Sequence, residues 1–123
     1  MRDIEFRGKC EENSKWYFGD LVTNRGGTPT HIRQDATPTP IIPETVGQYT
    51  GLKDKNGKKI YEGDILRYFG DIGVVGFEES RARFTCQFDN YKKTYEFYFG
   101  RQEEIEVIGN INDNSELLEA NNG

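Results

Sequence analysis

Four lysines, Lys53, Lys55, Lys58 and Lys59, fall within seven residues around an Asn56-Gly57 pair. Ammonium groups clustered on a tight turn can neutralise phosphate oxygens, and binding of that kind weakens steeply with salt. Turn tips also carry charge simply because they face water, so the same lysines read as a solvated hairpin end. Arg83, Lys92 and Lys93 extend the patch if the fold gathers them with the turn, as does Arg81. Tyr91, with Tyr95 and Tyr98, would then offer ring faces on which unpaired bases stack. Aromatics at period two otherwise fill sheet interiors.

The carboxylates allow a different chemistry. Glu62 and Asp64 lie two apart, and Glu103 and Glu104 precede Glu106, so either set has spacing compatible with a Mg²⁺ site or an acid and base. That spacing is unspecific in a chain with 21 acidic residues. Asp64 after Gly63 also suits a bend, where its side chain accepts backbone hydrogen bonds. His31 is the one histidine, which excludes a two-histidine zinc site. Cys10 and Cys86 are far apart, neither belongs to a Cys-x-x-Cys pair, and both read as buried thiols. The chain lacks a nucleophile elbow, a phosphate-binding loop and a dinucleotide glycine pattern. No catalytic residue, metal ligand or cofactor is assigned, and the chain is expected not to be an enzyme.

The elements that must position these residues are strands. Asn56-Gly57 suits a two-residue hairpin turn, because such turns need positive φ at their central residues. Residues 59–69 follow as a strand bent at Gly63-Asp64, Gly70-Asp71 reads as a second two-residue turn, and residues 72–77 continue the meander. Phe84, Cys86 and Phe88 alternate with Arg83, Thr85 and Gln87, which turns the first set inward. Asp89-Asn90 turns the chain again, and Tyr95, Phe97 and Phe99 share one side of the next strand. Ile105, Val107 and Ile111 share a face of another, with Gly109 at a bulge or close approach. Asp113 and Glu116 have capping-box spacing ahead of Leu117 and Leu118, predicting a short C-terminal helix.

One domain over 1–123 is expected: an N-terminal hairpin over 1–22, a Pro- and Gly-rich loop over 23–46 with a short strand around Ile32, a β region over 47–112, and a helix and tail over 113–123. The fold class is mainly β, or β-rich α+β at most. The hairpin is expected to pack on a small, barrel-like, strongly curved antiparallel sheet, with an open curved sheet as the alternative. Aromatics at 13% of the chain predict an aromatic-heavy core.

The net charge of −5 disfavours a surface that attracts nucleic acid as a whole. No apolar run reaches the roughly 18 residues that span a bilayer, so no membrane association is expected and the location reads as cytoplasmic.

Residues 48–65 (QYTGLKDKNGKKIYEGDI) and 106–111 (EVIGNI), the latter followed by 114–118 (NSELL), resemble the YopX family of phage and prophage proteins. The opening at 4–9 (IEFRGK) is similar to that family's start. The resemblance implies an accessory protein in the bacterial cytoplasm and carries over no catalytic residues. The readings that follow are a non-enzymatic protein acting through an unknown protein partner or self-association, a nucleic-acid-binding small β-barrel, and, third, a Mg²⁺-dependent carboxylate enzyme.

Overall fold

The computed structural model describes residues 3–88, 93–96 and 104–121. The chain divides into two compact units, 1–51 and 52–123. The strands form two antiparallel sheets.

In the first unit, β1 (Phe6–Lys9) and β2 (Trp16–Thr23) form the N-terminal hairpin, with Phe6 opposite Gly19 and Lys9 opposite Trp16. The segment expected as loop is more regular than its proline content suggests. It holds β3 (Pro29–Arg33), β4 (Thr39–Pro40) and a 3-10 turn at Pro43–Thr45. Proline cannot donate to a ladder, but Pro29 begins a strand and Pro40 lies in the two-residue strand at the sheet's edge, where the missing N–H costs little. β5 (Gly47–Lys53) follows, and the six-stranded sheet runs β4-β3-β2-β1-β5, with β6 (Lys59–Tyr61) beside β5 as its last strand. Ile32 is fully buried with Cys10, Ile41 and Tyr49. Gly8 permits this packing, since a Cβ there would stand 3.1 Å from Ile41.

The second unit holds β6 (Lys59–Tyr61), β7 (Asp64–Tyr68), β8 (Asp71–Glu78), β9 (Arg83–Phe88), β10 (Lys93–Glu96), β11 (Ile105–Asn110) and a single described helix, α1 (Glu116–Asn121). Its five-stranded sheet runs β10-β9-β8-β7-β11. Among the described residues it is open, with β10 and β11 at its edges, so the expected barrel does not close. At β11 a turn takes the place of a further strand: the Lys55 N–H donates to the Ile105 carbonyl at 2.9 Å, and the Val107 N–H donates to Asp54 Oδ2 at 2.9 Å. Side-chain and turn groups thereby occupy an edge that would otherwise invite another strand.

The core of this unit is Ile60, Leu66, Val75, Cys86 and Ile105, with Leu52, Tyr68 and Val107 packed against it. It is aliphatic, contrary to expectation. Among the described aromatics Tyr49 and Tyr61 are buried, whereas Phe69, Phe77 and Phe18 are 70%, 43% and 39% exposed. The pleat puts Phe77 on the same side of β8 as Val75, but two residues nearer the strand's end, where the cover thins.

Two turns also differ from their sequence reading. Tyr68 pairs with Asp71, so the two-residue loop is Phe69-Gly70, with φ of 49° and 85°, one residue earlier than expected. Positive φ at both positions is the type I′ geometry. Between β6 and β7 a turn at Glu62-Gly63 ends one strand and starts another, in place of a bend within one strand. The expected Asp89-Asn90 turn and the Phe97 and Phe99 positions lie outside the described residues.

Candidate functional site

The lysine-bearing turn is built around a carboxylate. Asp54 is 6% exposed. Its Oδ1 accepts from the Asn56 and Lys58 N–H groups at 2.8 and 2.9 Å, and its Oδ2 accepts from Val107 N–H at 2.9 Å. The Gly57 N–H donates to the Asp54 carbonyl at 3.0 Å, and the Asp54 N–H donates to the Lys58 carbonyl at 2.8 Å. Gly57 takes the positive φ, at 81°, while Asn56 does not. The loop is therefore three residues long, a type I turn closed by a glycine bulge, not the two-residue turn expected. Burial raises the Asp54 pKa, but the N–H groups of Val107, Lys58 and Asn56, with the Lys58 charge, outweigh it and hold the carboxyl below its ordinary 3.8.

The same construction occurs in the first unit. Asn24 Oδ1 accepts from Gly26 and Thr28 N–H at 2.9 and 3.0 Å, the Gly27 N–H donates to the Asn24 carbonyl, and Gly27 has φ of 85°. Asn24 to Gly27 and Asp54 to Gly57 share one spacing, and that spacing is the signal from which Asp54's role was readable.

Lys53, Lys55 and Lys58 are exposed on this turn and Lys59 is half-buried. Arg83 is placed elsewhere: its Nε lies 3.1 Å from Glu78 Oε1, which Arg81 also approaches at 3.6 Å. β9 is three strands from β11, and Glu78 lies seven residues along β8 from Asp71, the level of Tyr68 and Ile105. At about 3.3 Å per residue that separation is roughly 23 Å along the strands alone. Lys93 is on β10, the opposite edge from β11. Tyr91 and Lys92 lie outside the described residues, as do Tyr98 and Glu103, and the side chain of Tyr95 is not described. The lysine turn thus stands without Arg81 and Arg83.

The other candidates are tied into the scaffold. Asp64, 2% exposed, accepts the Tyr61 N–H on Oδ2 at 2.8 Å. Glu106 pairs with Arg67 at 3.3 Å, and Glu62 and Glu104 are half-buried. His31 Nδ1 lies 2.9 Å from Thr30 Oγ1. Cys10 and Cys86 are buried and not disulfide-bonded, and burial pushes the Cys86 thiol up to about 12, which keeps it protonated and unreactive. Among the described residues no three His, Cys, Asp or Glu side chains converge as a metal site.

The two motif blocks meet in this unit. Asp54 binds Val107, Lys55 binds Ile105, and the Ile111 N–H donates to the Gly63 carbonyl at 2.9 Å. β11 bulges between Val107 and Gly109, and a Cβ at Gly109 would stand 2.6 Å from Asn114 Oδ1. That oxygen accepts the Asn110 N–H at 3.2 Å, while Asn110 Oδ1 accepts the Asn112 and Asp113 N–H groups at 3.0 and 2.9 Å. The motif residues build the seam between the turn, β11 and the start of α1.

These features define a mainly β protein of two antiparallel sheets with a short helix near its end. The family model described as YopX protein matches residues 5–119, and the chain belongs to the YopX family. A comparison with curated proteins finds no match. Among solved structures, protein EF1440 from Enterococcus faecalis is similar in fold, with a TM-score of 0.66 at 23% identity, over 96% of this chain and 99% of that one.

Proposed function

We propose that this chain is a phage- or prophage-encoded accessory protein that acts in the bacterial cytoplasm without catalysis, by binding another protein or itself. The observation that carries this reading is Phe69. It sits at a hairpin tip, 70% exposed, with φ of 49°. A bulky residue held in the left-handed region costs roughly 1 to 2 kcal/mol, and an exposed ring gains nothing from burial. Asn or Gly would satisfy the turn better, so a phenylalanine there is explained by a contact made outside the chain. The ring of Tyr68 supports it edge-on, with centroids 4.6 Å apart.

The test is a Phe69→Asn variant compared with wild type by sedimentation across concentration and by affinity capture from bacterial lysate with nuclease added. Loss of self-association, or of one specific captured protein, from a variant at least as stable as wild type is the expected result. Turnover of a nucleotide or nucleic acid by the wild type, abolished by one carboxylate substitution, would overturn the reading.

The exposure of Lys53, Lys55 and Lys58 on a turn pinned by Asp54 supports a second reading, contact with nucleic acid phosphates. It expects nuclease-sensitive capture that Lys55→Ala and Lys58→Ala weaken together, and it fails if wild type and the double variant bind alike.

A further inference from the structure

We propose that Asn56 is a site of spontaneous deamidation whose rate is set by opening of the Asp54 turn. Asn56 is followed by Gly57, and both are exposed. A Cβ built on Gly57 would meet nothing within 4 Å, so no side chain packs over the turn at that residue. Four other described asparagines are held by their amide oxygens: Asn13 by Lys15, Asn24 by Gly26 and Thr28, Asn110 by Asn112 and Asp113, Asn114 by Asn110. Asn56 enters the network through its backbone N–H, which donates to Asp54 Oδ1. None of those four asparagines precedes a glycine.

The reaction consumes water alone. The Gly57 nitrogen loses its proton to solvent hydroxide and attacks Asn56 Cγ. The new C–N bond closes a five-membered imide, and the Cγ–Nδ2 bond breaks to release ammonia. Water then opens either imide carbonyl, giving aspartate or its β-linked isomer. In the folded turn the Gly57 N–H is engaged with the Asp54 carbonyl at 3.0 Å, which withholds the attacking nitrogen until that bond breaks. A hydrogen bond of ordinary net strength slows the step about tenfold. Conversion sets a carboxylate among Lys55 and Lys58, and the β-linked form lengthens the loop by one methylene, displacing Asp54 from Val107. The chain would thus carry a turn that rewrites its own charge with age.

The intact chain is incubated at 37 °C in mildly alkaline buffer beside a synthetic peptide of residues 50–62, and both are mapped by mass spectrometry. Asn56 is expected to convert before the other described asparagines, about tenfold slower than in the peptide. Asp54→Asn, which removes the charge that pins the turn, is expected to move its rate toward that of the peptide. Prior conversion of another described asparagine, or no conversion at Asn56 once the peptide has fully reacted, overturns the proposal. Equal rates in chain and peptide overturn the gating, and that comparison stands even if the variant does not fold.

Discussion

Asp54 concentrates more structural consequence than any lysine beside it. Three backbone N–H groups converge on its carboxylate, and removing it leaves the Val107 donor in a part-buried place without its acceptor. Hydrogen bonds to a charged acceptor contribute roughly 1.5 to 3 kcal/mol, so Asp54→Ala is expected to cost about 3 kcal/mol in urea unfolding. The pH dependence follows from the same contacts. The folded-state pKa lies below the ordinary 3.8, so the carboxylate's contribution is complete above that value and is lost as pH falls through the lower folded value. Wild type should therefore lose stability toward acid by an increment that Asp54→Asn lacks, read as the difference between their urea midpoints at pH values above and below that range. Equal slopes for the two proteins would remove Asp54 from the acid response.

At the scale of elements, Gly109 and Asn114 make one joint between β11 and the approach to α1. Gly109→Ala drives a Cβ into the Asn114 side chain and is expected to cost roughly 1 to 3 kcal/mol. Asn114→Gly removes every side-chain atom that crowds that Cβ, including the Asn114 Cβ at 2.8 Å that alanine would keep, so the Gly109→Ala, Asn114→Gly double variant should be less destabilised than the sum of the singles, a coupling measurable by thermal unfolding. Most of the strands and the closeness at Gly109 were legible in the sequence because alternation and glycine placement are local signals. The short helix is also present but begins at Glu116, so Asp113 and Glu116 do not form the expected capping box. The aliphatic core was not, because composition counts aromatics without saying which reach past the end of a sheet. The turn at Phe69 falls one residue before its expected place since Gly70-Asp71 offers the better local chemistry, and the register of Tyr68 with Asp71 overrides it. Asp54 looks in the sequence like a charge diluting the lysines, although its spacing to Gly57 matches that of Asn24 to Gly27.

Over the whole molecule, net charge separates the two modes of binding. The chain carries −5, so a phosphate backbone meets a repulsive mean field and is held by whatever the lysine turn supplies locally. With Lys53, Lys55 and Lys58 as the exposed contacts, binding to duplex DNA should lose log affinity against log salt with a slope no steeper than about −3. Between roughly 50 and 200 mM salt that is a loss of about fiftyfold. An interface anchored by the Phe69 ring depends on apolar burial and should hold its affinity across the same range. Titrating the captured partner against salt with wild type, Phe69→Asn and the Lys55→Ala, Lys58→Ala double variant distinguishes the two. Salt-insensitive binding lost only in Phe69→Asn supports the protein interface. A steep slope that the lysine substitutions flatten, with Phe69→Asn unchanged, transfers the function to the turn.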